Sequence, residues 1–472
     1  MKYKIIYVTI LFSLFLLSCT ERKEEKQPPN FLMIFVDDLR PQLNCYGQNQ
    51  VLSPNIDRLA AEGVMFERAY CNIPVCGASR ASIMTGARPT RSRFLNYYTH
   101  VDQDLPGHLS IPRHLKESGY YTLSYGKVYH HNDDDPDGWS EQPWRPSGKT
   151  WRNYITELNL KLEDSLEDGR AMPYENAPGA EDSDYFDGQI ADTAISRLKG
   201  LKEQGKPFLL SVGFLKPHLP FNAPSKYWDL YDPESLELAD NPYKPKNAPD
   251  EAMHNWGELR FYLDIPETGP VSKEMERNLV HGYYACVSYI DAMVGKLLDE
   301  LDRLDLAKNT VVILFGDHGW NLGEHGLWCK HCNFDNAMRT PLIVRGPGVT
   351  SGGKASAITE FVDIYPSICD LANLSKPDHL EGKSFISVLN DPSAEHRTHG
   401  FSRYQRGESI ITSQYVYTEW YQDDQDVERP RMLYDHHSDL DENVNISEEA
   451  ENEKIVEELS LKLRSLTDQS IE

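Results

Sequence analysis

The stretch Asn30-Phe31-Leu32-Met33-Ile34-Phe35-Val36-Asp37-Asp38 is an apolar run, unbroken from Phe31, that ends in two carboxylates. A strand with one wet face alternates polar and apolar residues, so a run without alternation predicts a strand covered on both faces, as in a parallel sheet between helix layers. Moving outward, the same signature recurs. Buried strands are predicted at Tyr120 to Tyr125, Phe208 to Phe214, Thr310 to Phe315 and Pro341 to Val344, and helical patterns separate them, notably Phe186 to Lys202 and Glu274 to Leu304. Ser53-Pro54 reads as a cap with proline at the first helical position, and Gly63 stops that helix. The expectation is an α/β fold: a large, mostly parallel sheet covered by helices on both faces.

With 472 residues, 40% hydrophobic and 26% charged, the chain can bury one large core or two unequal ones, which excludes disorder as its general state. Beyond the helix-like Phe361 to Leu374 the character changes. Ser409 to Tyr421 alternates like a hairpin, Arg431 to Tyr434 reads as a third strand, and Ile455 to Leu466 as an amphipathic helix. A main unit over residues 30–374 and a smaller α+β unit over 375–472 are therefore expected. Residues 133–180 and 228–270 are rich in Pro, Trp, Tyr, Asn and Asp without sustained periodicity, and long insertions of this kind wall active sites.

Lys2 and Lys4 followed by an apolar run to Leu17 make residues 1–18 a secretory signal. Its end, Leu16-Leu17-Ser18-Cys19, resembles the lipobox of bacterial lipoproteins and implies cleavage before Cys19, lipidation of that residue, and a tether over 19–29 holding the protein in the periplasm or on the outer-membrane surface. Lys and Arg number 48 against 73 Asp and Glu, a formal charge of −25, which excludes nucleic acid as a partner and requires any anionic substrate to be drawn by a few placed cations. Seven cysteines remain after Cys19. Their scatter is not that of a disulfide framework, and Cys329 with Cys332 lacks the second pair a zinc site needs.

Asp37 and Asp38 fall at the carboxyl end of the first strand, the edge at which open α/β sheets bind ligands. The strand Thr310 to Phe315 ends likewise, in Gly316-Asp317-His318-Gly319. Two strands that deliver carboxylates and one imidazole to one edge point to a hard divalent cation, Ca²⁺ or Mg²⁺ over zinc. Between them lies Pro74-Val75-Cys76-Gly77-Ala78-Ser79-Arg80. A helix starting here sets Cys76 at its positive end with Arg80 one turn on, a setting that predicts an acidic, reactive thiol in an anion-binding site.

These residues resemble the type I sulfatases of the alkaline phosphatase superfamily, in which a C-x-P/A-x-R segment directs oxidation of its cysteine to formylglycine. Ala78 stands where the motif of aerobic maturation systems usually has proline. The match continues through Gly126-Lys127-Val128-Tyr129-His130, Lys216-Pro217-His218-Leu219-Pro220-Phe221, Asp317-His318-Gly319-Trp320-Asn321-Leu322-Gly323-Glu324-His325 and Lys330-His331-Cys332-Asn333-Phe334-Asp335. These longer strings look most like iduronate 2-sulfatase.

The resemblance implies a Ca²⁺ held by Asp37, Asp38, Asp317, His318 and the modified Cys76, whose hydrated aldehyde attacks sulfur in line with the departing sugar oxygen. It implies that Arg80 holds this nucleophile and that Lys127 and Lys330 bind sulfate oxygens. His218 protonates the leaving alcohol, and His130 takes the proton whose removal expels sulfate and restores the aldehyde. A maturing enzyme, either formylglycine-generating or anaerobic, is the implied partner. The function expected is exo-acting 2-O-desulfation of a terminal uronic acid in a sulfated oligosaccharide or polysaccharide. Alternatives are a sulfatase for algal glycans such as ulvan or carrageenan, a phosphonate or phosphodiester hydrolase of the same superfamily, and a non-enzymatic glycan-binding lipoprotein.

Overall fold

The computed structural model describes residues 28–255, 257–422 and 429–467. The predicted signal, the lipobox and Cys19 lie outside them. Among the described residues no helix is long and apolar enough to cross a membrane, and the seven cysteines are free thiols.

Asn30–Val36 is a strand, as read, and every residue in it is buried. Leu32, Ile34 and Val36 enter one apolar core, beneath the helices Phe186–Gln204 and Lys273–Arg303. Phe31, Met33 and Phe35 enter the other, beneath Cys76–Thr85 and Ile364–Leu371. The period-two alternation of side chains across a strand is thus apolar on both faces, which is why no polar residue interrupts the run.

The large sheet has seven strands in the order Gly353–Ala355, Val64–Phe66, Leu342–Arg345, Thr310–Gly316, Asn30–Val36, Phe208–Phe214 and Tyr121–Gly126. All pairings are parallel except those of Leu342–Arg345, which runs against both neighbours. Four adjacent parallel strands therefore end at one edge. In register Val36 faces Gly316 on one side and Phe214 on the other, and Gly126 faces Gly213. The segments following these strands carry Asp317 and His318, Asp37 and Asp38, His218, and Lys127 and His130.

The C-terminal sheet is a four-stranded antiparallel meander, His399–Tyr404, Gly407–Thr412, Tyr415–Trp420 and Arg431–Asp435. Its Ile410 and Tyr417 pack on Val456, Leu459 and Leu463 of the helix Glu453–Thr467, while Ile411 and Val416 face Tyr70, Met338 and Ile358 of the main body. Between the two sheets, Phe385, Val388 and Leu389 still belong to the large sheet's core.

Candidate active site

Cys76 is the first residue of a helix, Cys76–Thr85, whose ten residues are all buried. Arg80, one turn on, is the side chain that ties this helix to the sheet edge. Its Nε donates to Asp317 Oδ2 at 2.8 Å, and its Nη1 donates to the carbonyl oxygens of Val128, at 3.1 Å, and Lys127. Ser79 Oγ adds a bond to the Asp317 carbonyl at 2.6 Å. A fully buried guanidinium is tolerable only when paired in this way.

Lys127 follows Gly126, whose φ of 74° and lack of a side chain let two strand ends close: a Cβ there would lie 2.1 Å from the Gly213 carbonyl oxygen. The turn is sealed by the Lys127 amide donating to that oxygen at 2.8 Å, and the ammonium then pairs with Asp37. Lys330 reaches in from the opposite side, 3.1 Å from Asp38 Oδ1 and 2.8 Å from Glu258 Oε2.

Asp37, Cys76, Asp317 and His318 are buried, with one ligand atom of each within 4.8 Å of the others, and His318 Nε2 lies 3.2 Å from Cys76 Sγ. Asp38 is the member of the expected set that the quartet leaves out. It groups instead with Cys76 and His218, although its Oδ1 lies 3.5 Å from His318 Nδ1. Asp37 Oδ1 and Asp38 Oδ1 are buried and accept no well-formed hydrogen bond, their cationic neighbours Arg80 and Lys330 standing at 3.6 and 3.1 Å. Buried carboxylate oxygens left in this state, with a donor set of carboxylates and one imidazole, fit a hard cation.

The electrostatics follow from the protein's own groups. Burial raises the Asp37 carboxyl, but Lys127, His218, Arg80 and Lys330 together hold it well below the usual carboxylate range, while burial keeps Asp38 above it. Burial, reinforced by Lys127, takes His130 down to about 2, so it is neutral, and its Nδ1 has no hydrogen-bond partner. His218 moves the other way. Against burial and Lys330, the carboxylates of Asp38, Glu258 and Asp37 hold it up to about 10, and its Nε2 lies 2.9 Å from Glu258 Oε1.

The expectation of an acidic Cys76 thiol is overturned. Burial and the neighbouring Asp37 carboxylate push it above the ordinary thiol value, outweighing Lys127 and Lys330. Position at a helix N-terminus was the signal for acidity, and full desolvation beside carboxylates is the stronger effect.

Cys76, Lys127, His130, His218 and Lys330 open on a cavity of about 880 Å³. Arg80, Asp37, Asp38, Asp317 and His318 are fully buried and do not line it. The walls come from both insertions, through Arg145, Lys149, Trp151 and Arg170 on one side and Glu258 and Phe261 on the other. Of Trp139, Trp144, Trp151 and Trp228, only Trp151 lines the cavity, where its ring could stack on a sugar; Trp139 and Trp228 are buried, and Trp144 pairs with Tyr125.

Two functional residues escape the sequence. Glu258 bridges His218 and Lys330, and Arg145 donates to the carbonyls of Gly126, Tyr129 and His130, fixing the loop that carries Lys127. Both come from irregular insertions, and no motif marks either.

Comparison with known proteins adds independent findings. Residues 29–374 match the family model described as sulfatase, and residues 323–469 match that for the C-terminal region of N-sulphoglucosamine sulphohydrolase. The chain is similar to iduronate 2-sulfatase of Mus musculus, 35% identical over 393 residues that cover 75% of this chain and 71% of that protein. It is similar to an ulvan-active sulfatase of Formosa agariphila, 28% identical over 477 residues covering 97% and 85% of the two chains. A solved structure holding its substrate D-glucosamine-2-N,6-O-disulfate shares the fold at a TM-score of 0.77 and 22% identity, over 94% of this chain and 98% of that one.

Proposed function

The chain belongs to the sulfatase family, a family of sulfuric ester hydrolases, and from that premise we propose that it removes the 2-O-sulfate of a terminal uronic acid from a sulfated glycan. The observation that carries this reading is the ring of groups around Cys76: Lys127, Lys330, His130 and His218 at the end of a walled cavity, above the Asp37, Asp317 and His318 cluster. One relative is named for iduronate and another for ulvan, which supports a sulfated carbohydrate as the substrate class.

In this reading Ca²⁺ is held by Asp37, Asp38, Asp317 and His318, and Cys76 is oxidised to formylglycine by a maturing enzyme that accepts the C-x-A-x-R segment. Together these would supply a nucleophilic oxygen beside concentrated positive charge. The rest is done by the chain's own side chains. Lys127 and Lys330 offer two ammonium groups, on either side of Cys76, to the sulfate oxygens as charge shifts onto them. His218, protonated among its carboxylates, donates to the departing sugar oxygen; His130, neutral and with an open Nδ1, accepts a proton from the nucleophile in the second half of the reaction. Arg80 orients the helix start rather than meeting the substrate.

Terminal action is supported by the walled cavity, whose shape suits one end of a sugar chain, and by the charge of −25, which opposes lengthwise binding of a polyanion. Initial desulfation rates on polymer and on oligosaccharides, matched for sulfated non-reducing ends, test this. Equal rates per end are expected, and release proportional to internal sulfate would refute it. Export and a lipid anchor at Cys19 belong to the same reading, on the strength of the lipobox string, and the mass of the mature N-terminal peptide tests them.

A further inference from the structure

Beside the catalytic pocket a second group of ligand-bearing side chains comes together from two separate stretches, Cys329-Lys330-His331 and the short helix Gly257–Arg260. The Cys329 thiol donates to Glu258 Oε2 at 3.5 Å, and its Sγ lies 3.5 Å from His331 Nδ1. One ligand atom of each of the three residues lies within 4.8 Å of the others. Cys329 is fully buried, whereas Glu258 and His331 line the catalytic cavity, so the group has one side in the protein and one toward the opening. Cys332 takes no part in it, since its Sγ accepts from Asn321 Nδ2 at 3.4 Å.

The separations match those that a tetrahedral zinc imposes. With Zn–S at about 2.3 Å and Zn–N or Zn–O at about 2.0–2.1 Å, the sulfur stands about 3.5 Å from each neighbouring ligand atom at the tetrahedral angle. The donor types agree, because thiolate and imidazole select a zinc-like ion over Ca²⁺, which takes oxygen. The His331 ring is stacked on that of Tyr404, with 5.6 Å between centres, and burial together with Lys330 holds it well below its ordinary value, so it is neutral, as a ligand must be. Lys330 opposes a cation here, since its ammonium pairs with Glu258 Oε2 at 2.8 Å. The thiol offsets part of that opposition. Burial and Glu258 keep its proton in place, and that proton leaves for solvent as the metal–sulfur bond forms, so a dication adds a net charge of only one.

We propose that Glu258, Cys329 and His331 form a site for a thiophilic divalent cation of the zinc class, separate from the Asp37, Asp317 and His318 cluster, with a fourth position left to water or an anion in the cavity. Filling it puts the metal in competition with Lys330 for Glu258 Oε2 and draws that carboxylate from His218, whose Nε2 it holds at 2.9 Å. Lys330 and His218 both lose the group that positions them, and turnover falls as the site fills.

Co²⁺ is the probe, because a cobalt–thiolate bond absorbs in the near ultraviolet, where Ca²⁺ is silent. The chain is taken as Cys76→Ala with Ca²⁺ in excess, so that neither the Cys76 sulfur nor the first cluster competes. Co²⁺ is expected to raise the thiolate charge-transfer band and Zn²⁺ to bleach it. Adding Cys329→Ser, nearly the same shape, is expected to abolish the band, and His331→Gln, at a half-buried position, to weaken Co²⁺ binding at least about tenfold. No band, a band that survives Cys329→Ser, or an affinity that His331→Gln leaves unchanged overturns the site. This arm needs no turnover and is independent of the substrate reading. On the matured native chain, Zn²⁺ is expected to inhibit 4-nitrophenyl sulfate hydrolysis over the concentrations that displace Co²⁺, and Cys329→Ser to resist it, each rate being taken against its own metal-free value. Full turnover with the site filled, or inhibition undiminished in Cys329→Ser, overturns the link to catalysis.

Discussion

Two buried ionic clusters, which differ in whether their carboxylate oxygens are satisfied, show what separates a site from a scaffold in this molecule. At Asp363 every carboxylate oxygen is used. Its Oδ2 accepts from the Glu360 amide at 3.0 Å, His396 Nε2 at 2.9 Å and Arg397 Nε at 2.7 Å, and its Oδ1 from the Lys383 amide at 2.7 Å and from Arg397. Glu360 beside it accepts from Asn72 at 2.7 Å and from both prongs of Arg88, at 2.7 and 3.0 Å. The Asp37, Asp38 and Asp317 cluster has as many cations in reach, yet Asp37 Oδ1 and Asp38 Oδ1 go without a well-formed hydrogen bond. The first cluster satisfies every carboxylate oxygen, leaving only His396 Nδ1 without a partner, and joins the Glu360–Asp363 corner to Arg88 and the 383–397 segment. In the proposed reading the second is completed by the cation it holds.

The largest expected effect lies in the incomplete cluster. Cys76→Ala should reduce sulfate ester hydrolysis to background while leaving the melting temperature close to native, because it removes the atom to be oxidised and little volume. More than trace turnover in this variant would mean that Cys76 does not supply the nucleophile. Asp317→Asn comes next, with a sharp fall in turnover and weaker Ca²⁺ binding by calorimetry on stripped protein. Unchanged affinity would remove Asp317 from the ligands and leave it only as the partner of Arg80.

The complete cluster should answer in stability. Asp363→Ala strands Arg397 and His396 in the interior, so urea denaturation should show a loss of about 3–5 kcal/mol, with kcat of the folded fraction kept and no response to chelator. Loss of turnover at intact stability would erase the contrast between the two clusters. A smaller effect appears with pH. Burial raises the Asp363 carboxyl, but its bonds from Arg397 and His396 hold it down to about 2, against an ordinary value of 3.8. The group therefore contributes stability above about pH 4 that is lost as pH falls toward 2, about 2 kcal/mol in all. Comparing the native chain with Asp363→Asn at pH 5 and pH 3 should show that part of the acid sensitivity missing from the variant.

The two clusters also differ in how well sequence discloses them. Asp37, Asp38, Asp317 and His318 were legible because each follows directly on a long apolar strand, and strand ends in a parallel sheet share an edge. Cys76 and Arg80 were legible as one turn of a helix, and Lys127, His130, His218 and Lys330 through the strings that resemble sulfatases. Nothing comparable marks Asp363, Glu360 or Glu258, whose partners come from positions tens to hundreds of residues away through irregular chain. The same holds for the fold. The long strands were readable within a residue or two, since seven buried residues leave a clear pattern. Val64–Phe66 and Gly353–Ala355 are too short for one, and His399–Tyr404, with Phe401 as its one aliphatic or aromatic core residue, carries Arg403 and Ser402 where a strand signal would need apolar side chains. The helix Glu157–Ser165 inside a segment read as irregular is held by its Thr156 cap and by Glu175, which accepts from the Ile155 and Thr156 amides.

The measurement that bears most directly on the account is the mass spectrum of the peptide carrying Cys76, taken from protein produced together with a sulfatase-maturing enzyme and assayed in the same preparation. The account predicts the aldehyde at Cys76, in a fraction of molecules that scales with the rate of sulfate ester hydrolysis. An intact thiol at Cys76 in a preparation that hydrolyses sulfate esters at full rate would contradict it.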